Sequence, residues 1–457
     1  MPPQGDASPV KYRPDTADRL IEPAARQRAL RRQSPRRFPK LTRAWLLLVA
    51  VTVVMTVTSG ARFLFGVVLK PVSDEFGWSR SSLTAAVMIS MVTLSLCQPF
   101  VGVVVDRVGS KRMLVAGTTL LALALIPLSY ATRLWQVYLI YGVVVAFGLA
   151  AVSPANITSL VSRWFDERRG TALAVATSGS AFGQLIIVPI GAWVLTAFDW
   201  QTTYRLLALL LALMVPLVIV VIRDAPARKP DAAASKASRG SDEGVGVRVA
   251  IRTSAFWLLA FGFVVCGFTM AFPNTHFIAY VDDMGMAPMH GANAIAVTAI
   301  FSIAGSVLLG MLSDRHRRSL VLAWTYLLRG GAFALLLVLP AGDFLFVYAI
   351  VLGISWTATT PLTAAIAADL YGQKHLGAVF GTLFTFMNLG YGLGAFLDGA
   401  IYEMAGGYEA AFIVNAALGL IAGAVLWLAN LERSQVRRPG QAAIDRHHST
   451  PAPVVGD

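Results

Sequence analysis

The stretch GVVVDRVGSKR at residues 102–112 and the related stretch GMLSDRHRR at residues 310–318 each lie between two long apolar runs. Both place a glycine four residues before an Asp-Arg pair and follow that pair with further cations. Asp314 follows Asp106 by 208 residues (314 − 106). This repetition indicates a duplicated unit, and the apolar runs around it indicate a membrane protein.

The composition supports this interpretation. The chain has 457 residues, of which 56% are hydrophobic and 14% are charged, whereas soluble proteins carry about 25% charged residues. Twelve apolar stretches approach the roughly 20 residues that cross the hydrocarbon core of a bilayer as a helix. The alternating pattern of a barrel strand is absent. The sequence therefore predicts an all-α membrane protein whose twelve transmembrane helices form two pseudo-symmetric six-helix bundles.

The positive charges are strongly biased to one side of the predicted membrane. With the N-terminus on that side, its segments hold 32 of the 38 Lys and Arg residues, and the other side holds only Lys70, Arg80 and Arg133. Cytoplasmic loops carry such an excess, so both termini are expected in the cytoplasm. The net charge of +13 is thereby explained as a topology signal, and nucleic acid is not an expected partner.

Two further pairs of segments support a duplication. Residues 74–77 and 282–285 are related at an interval of 208, while Gly183 and Gly390 are related at 207. Parallel repeats of this kind are typical of one class of transporter. The predicted organisation is a basic, disordered cytoplasmic tail (1–42), an N-terminal bundle (43–222), a cytoplasmic central loop (223–252), a C-terminal bundle (253–430) and a disordered cytoplasmic tail (431–457).

On these motifs the chain resembles the major facilitator superfamily, and in particular bacterial relatives of monocarboxylate transporters and oxalate/formate antiporters. The second resemblance rests on the segments FGWSR at 76–80 and GAR at 60–62. It implies a multi-pass protein of the bacterial cytoplasmic (inner) membrane that works by alternating access. The loop motifs are interpreted as a gating latch that breaks when the cytoplasmic side opens, against the alternative of a merely topogenic loop. Their residues are Gly102, Asp106, Arg107, Gly109, Lys111 and Arg112 in the first copy, and Gly310, Asp314 and Arg315 in the second.

Charged residues inside the predicted spans point to the cargo, because an ionisable group there is costly and usually faces a cavity. Arg62 and Arg329 are the candidates, since a guanidinium offers a planar fork that suits a carboxylate. The alternative is a structural cation that pairs with a buried acid or a helix C-terminus. Four amides are further candidates to line the substrate site: Asn156, Gln184, Asn274 and Asn388.

Asp398 and His276 are the candidates for taking up a proton with the substrate. The alternatives are a hydrogen-bonded interfacial histidine and an acid that balances a cation. No H-E-x-x-H or cysteine-rich pattern occurs, so an enzyme, a metal site and a cofactor are not expected. The sequence thus predicts a monomeric secondary transporter of a small mono- or dicarboxylate with proton symport, surrounded by membrane lipids. The remaining alternatives are an anion exchanger, an efflux pump of the same superfamily or a transporter-like membrane sensor.

Overall fold

The computed structural model describes residues 38–165, 169–222, 245–338, 342, 344–372 and 376–429. The chain divides into two units, of which the first ends at Leu47 and the second begins at Leu48. The described part of the first unit is the beginning of a helix, and every interaction below lies within the second. Residues 1–37 of the predicted tail 1–42, the whole predicted tail 431–457 and most of the central loop 223–252 lie outside the described residues, and residues 38–42 belong to the first helix.

Within the described ranges, twelve helices are long and apolar enough to cross a membrane, as the sequence predicts. They are α1 (Phe38–Phe76), α2 (Arg80–Val108), α3 (Ser110–Leu128), α4 (Leu134–Ala151), α5 (Ala172–Ala197), α6 (Trp200–Val221), α7 (Ser254–Thr275), α8 (Pro288–Arg315), α9 (Arg318–Val338), α10 (Phe344–Tyr371), α11 (Leu376–Ala405) and α12 (Glu409–Ala429). The shorter helices are Pro154–Trp164, Val247–Ala250 and Phe277–Asp283. We call the side on which α12 ends the terminal side, and the side on which α1 ends the opposite side.

Three of the spanning helices are irregular. The π-helical segments Ile140–Val145 and Gly183–Ile187 interrupt α4 and α5, and α10 is broken between Phe344–Trp356 and Thr359–Tyr371. Such segments free backbone groups and occur often at functional sites. The apolar side chains that α6 leaves exposed, such as Leu209 and Val220, suit contact with lipid, because lipid tails do not penalise apolar surface.

The two halves pack in the same way, which supports the predicted duplication in three dimensions. Gly77 and Gly285 both adopt a positive φ, at 65° and 75°, and are 208 residues apart. A Cβ added at Gly183 in α5 would meet the Thr56 carbonyl oxygen of α1 at 2.7 Å. The equivalent Cβ at Gly390 in α11 would overlap the carbonyl oxygen of Val264 in α7, which follows Thr56 by 208 residues. Close helix approach at small residues is the usual means of packing in membranes.

The most buried spans are α1 and α7, one from each half. They cross at Gly66, where an added Cβ would overlap the Asn274 carbonyl oxygen. The halves also meet where Gly392 and Gly399 of α11 approach α2 closely. The central helices α1, α2, α7 and α11 therefore position any site that lies between the halves.

The contact between α7 and α11 should depend on Gly267. A Cβ there would overlap the Met387 carbonyl oxygen and lie 2.7 Å from the Tyr391 nitrogen. Because both are backbone atoms that no rotamer change can move, we expect Gly267→Ala to lower the free energy of unfolding by about 1–3 kcal/mol. Thermal unfolding of the purified protein in detergent measures this loss. Gly331→Ala is the matched control, since nothing lies within 4 Å of its added Cβ, and equal melting temperatures for the two variants would contradict the assignment.

Candidate functional site

A recess between the two halves enters the bundle from the terminal side. It encloses about 590 Å³ of empty space, including its open mouth. Its walls come from α1, α2, α4, α5 and α11 together with the turn after α4. Arg62 is the lining residue of α1 farthest from the terminal side, and Asn388 holds the corresponding position in α11. We call this space the Arg62 recess.

The Arg62 side chain holds its charge at the end of this recess. Its guanidinium carbon lies 4.6 Å from the centroid of the Tyr391 ring, and Nη2 lies 3.7 Å from the Met91 sulfur. The Nε atom is buried without a partner. The Tyr141 hydroxyl, in the π-helical segment of α4, donates to the Arg62 carbonyl oxygen at 3.2 Å. The arginine is thus fixed from both halves of the protein.

Arg62 has no carboxylate within ion-pairing distance in the part of the chain that the structure describes. A cation over an aromatic face gains only about 0.5–2 kcal/mol, which is less than a charge-assisted pair provides. The guanidinium therefore retains donors for an anion, and its planar fork fits a carboxylate in a bidentate manner. This unpaired cation is the main chemical feature of the recess.

The rest of the recess is mixed in character. The Asn388 Nδ2 atom is buried without a partner, so the amide can donate to a ligand. Ser59 adds a hydroxyl, whereas Leu94, Leu149 and Phe384 form apolar walls. The arrangement suits a small molecule with one negative group and an apolar body.

The other three predicted amides do not line the recess. The Gln184 Nε2 atom donates to the Asn274 Oδ1 at 2.8 Å, and the Asn274 Nδ2 donates to the Met270 carbonyl oxygen at 2.9 Å. The Asn156 Nδ2 donates to the Ala151 carbonyl oxygen at 2.8 Å. Gln184 and Asn274 join α5 to α7 and so connect the two halves, which is the role of interhelical polar contacts in membranes.

Arg329 lies in α9, apart from the recess, and is fully buried. Its Nη2 donates to the carbonyl oxygens of Ser355 at 2.6 Å and Trp356 at 2.9 Å, and its Nη1 approaches the Cys266 sulfur at 3.1 Å. These carbonyls lie at the break in α10, where a helix end leaves acceptors unsatisfied. A cation there also complements the negative end of the helix dipole. In this conformation Arg329 stabilises the broken helix.

Both predicted proton-coupling residues are fully buried in the C-terminal half, outside the recess. The Asp398 Oδ1 accepts a hydrogen bond from the Asn415 Nδ2 at 2.9 Å. His276 lies directly after α7, which has Pro273 in its last turn. Its Nδ1 lies 3.0 Å from the Tyr408 hydroxyl and its Nε2 lies 2.8 Å from the Ala395 carbonyl oxygen.

The first loop motif spans the end of α2, Gly109 and the start of α3, and the surroundings of Gly102 and the side chain of Asp106 lie outside the described residues. Gly109 separates the two helices with a φ of 96°, a conformation that favours glycine. Lys111 donates to the Ile219 carbonyl oxygen at 2.6 Å. The remaining motif residues of both copies are exposed or, at Gly310, have no close neighbour: Arg107, Arg112, Gly310, Asp314 and Arg315.

A cluster of charges on the opposite side joins the halves, and the sequence-based site prediction missed it. It consists of Lys70, Arg80, Asp282, Asp283 and Tyr408, and we call it the Arg80 cluster. Arg80 holds Asp283 in a bidentate pair at 2.6 and 2.8 Å and donates to the Tyr408 hydroxyl at 2.8 Å. Lys70 lies 2.9 Å from Asp282 and 3.1 Å from Asp283. Because α1 and α2 supply the cations while the segment after α7 supplies the acids, the pairs join the two halves on this side.

Further contacts extend the Arg80 cluster towards α11. The Arg80 guanidinium carbon lies 4.1 Å from the Tyr402 ring centroid, and Ser81 donates through its backbone and hydroxyl to Glu403 at 2.7 and 2.8 Å. Partial burial alone would raise the pKa of Asp283, but the hydrogen bonds from Arg80 and Lys70 outweigh it and hold this pKa below its usual value. The signal in the sequence was the presence of Lys70 and Arg80 among only three cations on this side.

Comparisons with known proteins agree with this architecture. The chain is 27% identical to the uncharacterized MFS-type transporter YcxA of Bacillus subtilis (strain 168), over 80% of this chain and 90% of that protein. It is 26% identical to monocarboxylate transporter 13 of Rattus norvegicus, over 84% of this chain and 88% of that protein. A crystal structure of a bacterial homolog of the human lysosomal transporter Spinster, in an inward-facing and unoccupied conformation, superposes with a TM-score of 0.68 at 15% identity, covering 87% of this chain and 98% of that one.

The family model of the Major Facilitator Superfamily matches residues 51–307 and 283–455, which together span most of the chain. The protein is therefore a transporter and not an enzyme, and the chain belongs to the Major Facilitator Superfamily.

Proposed function

We propose that this transporter carries a small monocarboxylate across the bacterial cytoplasmic membrane together with a proton. The observation that carries the proposal is the unpaired guanidinium of Arg62 at the end of the recess, which Asn388 also lines with an unpartnered amide nitrogen. Relatives named monocarboxylate transporters support the same class of cargo.

A monocarboxylate fits better than a dicarboxylate because Arg62 is the single cationic side chain among the described residues that line the recess. Arg329 donates to the carbonyl oxygens at the break in α10 and is not available for a second carboxylate. The apolar walls favour a cargo whose other end is an aliphatic or aromatic body.

The transport cycle that we propose is alternating access, in which the two halves rock around the central site. The cation bias of the loops assigns the terminal side to the cytoplasm, so the recess opens to the cytoplasm while the Arg80 cluster closes the other side. In this cycle the protein would alternate between a state that releases substrate to the cytoplasm and a state in which the ion pairs of the Arg80 cluster are broken. The loop motifs lie on the cytoplasmic side under this orientation and serve as the latch of the other state.

Proton symport is proposed because a carboxylate that moves with a proton crosses as a neutral pair. Asp398 and His276 are the candidate carriers. Both ring nitrogens of His276 already have partners in the present conformation, whereas one carboxylate oxygen of Asp398 has none. Asp398 is therefore the stronger candidate.

Replacement of Arg62 by Gln should remove binding of the carboxylate and leave the fold intact. We expect uptake of radiolabelled monocarboxylates into proteoliposomes to fall by at least about tenfold, the equivalent of one charge-assisted hydrogen bond. Arg205→Gln is the matched control, because Arg205 is an exposed arginine that packs on Tyr130 in the turn after α3. This variant should transport normally. An unchanged apparent affinity for the carboxylate in Arg62→Gln would refute the role of Arg62. If the wild type accumulates no carboxylate, the protein is better explained as a sensor or as a transporter of another cargo.

Replacement of Arg329 by Gln should lower the stability of the protein, whereas replacement of Arg62 by Gln should lower substrate binding. Loss of the guanidinium leaves buried carbonyls at the break in α10 without donors, which costs about 1–3 kcal/mol for each unsatisfied group. We expect a clearly lower melting temperature than in the wild type, measured by thermal unfolding in detergent. The Arg62→Gln variant is the internal control and should melt with the wild type. A stable Arg329→Gln protein that has lost substrate affinity would restore Arg329 to the binding site.

Loss of the central acid of the Arg80 cluster should shift the protein towards the state that is open on the opposite side. Spin labels at Asp74→Cys and Ala287→Cys, one in each half, report the separation by electron-electron resonance, and both native cysteines are buried. In Asp283→Asn we expect the population with longer distances between the two labels to increase, because the equilibrium shifts towards the open state by about 1 to 3 kcal/mol. Asp199→Asn is the control on the same side, because Asp199 caps α6 within one half.

The closed state should also respond to acid in a defined direction. Because the folded pKa of Asp283 lies below its usual value, the pairing is fully present above the usual aspartate range and is lost only as the pH falls through the lowered pKa. The label distances should therefore stay short at mildly acidic pH. Opening at neutral pH in the wild type would contradict the role of the cluster.

A further inference from the structure

A second polar site lies inside the C-terminal half, apart from the Arg62 recess. Asp398 of α11 and Asn415 of α12 are both fully buried. The Asn415 Nδ2 atom donates one hydrogen bond to the Asp398 Oδ1 and another to the Ala411 carbonyl oxygen, each at 2.9 Å. Both hydrogens of the amide are thereby used.

Two buried oxygen atoms of this pair remain without partners. They are the Asp398 Oδ2 and the Asn415 Oδ1. Each can only accept a hydrogen bond while Asp398 is ionised, so neither can satisfy the other. Buried polar atoms are rarely left unpaired in folded proteins, and an unpaired carboxylate inside a membrane is costly. One additional hydrogen-bond donor, placed on one of these two oxygens, would satisfy both.

One proton on the Asp398 Oδ2 would supply that donor. The resulting hydroxyl could donate to the Asn415 Oδ1, while the existing bond from Nδ2 to Oδ1 of Asp398 stays in place. The acid and the amide would then form a pair joined by two hydrogen bonds, and the charge would be removed. A bound metal ion fits less well, because hard cations usually take six or more oxygen ligands and two unpaired oxygens fall short.

The neighbouring ionisable groups do not neutralise Asp398. Tyr348 of α10 lies within electrostatic range, but its hydroxyl has no hydrogen-bond partner. Arg329 of α9 is bound to carbonyls of α10, and His276, next to α7, is bound to Tyr408 and Ala395. No Lys or Arg in the described ranges forms an ion pair with Asp398.

We infer that Asp398 and Asn415 form a proton-binding site that is occupied in the conformation described here. Its role in transport rests on the proposed function, and α11 provides the physical link. Tyr391, Asp398 and Tyr402 recur at intervals of seven and four residues, which places them along one side of the helix. Tyr391 contacts Arg62 in the recess, and Tyr402 contacts Arg80 in the Arg80 cluster. Loss of the proton leaves a buried charge between them and so alters the packing of α11 on α12.

Infrared difference spectroscopy of the purified protein without substrate tests the proton directly. Subtracting the Asp398→Asn spectrum from that of the wild type at neutral pH should reveal the C=O stretch of a protonated carboxylic acid. In Asn415→Leu that band should shift to higher frequency, since the acid loses its amide partner. Glu409→Gln, a change at an exposed carboxylate, is the control and should remove only ionised carboxylate bands.

Two spectroscopic outcomes would overturn the site. Ionised carboxylate bands for Asp398 at neutral pH would show that no proton is bound. If the addition of sodium converts the acid band into carboxylate bands, the site binds a metal cation instead. An unshifted band in Asn415→Leu would remove Asn415 from the site. Gel filtration of each variant verifies that it is folded, and Asp398→Asn keeps a donor for the Asn415 oxygen.

Transport assays then test the coupling separately. In Asp398→Asn, accumulation driven by a pH gradient should fall on the order of tenfold, a typical coupling magnitude, while counterflow exchange of substrate should persist. Retained accumulation in this variant would overturn the coupling role. If the wild type transports no carboxylate, the proposed function fails, yet the infrared spectra still decide whether Asp398 holds a proton.

Discussion

The contact between the Arg62 guanidinium and the Tyr391 ring is the interaction on which the Arg62 recess depends. A charge in the middle of a membrane helix requires a polar surrounding or a counter-ion, and the described part of the protein places no acid beside this one. The aromatic face from the other half compensates the charge only in part. The guanidinium therefore retains donors for an anion, and the two components of this contact come from different halves.

Helix α11 connects the features that a transport cycle has to coordinate. It contributes Asn388 and Tyr391 at the recess, Asp398 at the acid–amide pair and Tyr402 at the Arg80 cluster. Its glycines bring its backbone against α7 on one face and against α2 on another. With backbones this close, a small shift of the helix changes contacts at several sites together, because packed interfaces respond in discrete steps.

The two intramembrane arginines illustrate how far sequence reasoning reaches. Arg62 and Arg329 both lie within apolar runs beside small residues, and nothing local distinguishes an anion site from a structural cation. The difference arises from contacts that are distant in the chain: Arg62 contacts Tyr391, whereas Arg329 meets the carbonyls at a helix break in α10. The Arg80 cluster was missed for the same reason, since Arg80 and Asp283 are 203 residues apart and each reads alone as an ordinary charge near a helix end.

The amino-acid sequence by itself determined that this is a twelve-helix membrane protein built from two related halves, because hydrophobic length and internal repetition are properties of the chain read in order. It also marked Arg62 and Arg329 as candidates, since the cost of a charge in lipid is a local property. Only the tertiary structure decided which polar groups share a cavity, which satisfy helix ends and which join the two halves on the opposite side. Those distinctions depend on which helices become neighbours, and that is set by the packing of glycine-rich faces from both halves.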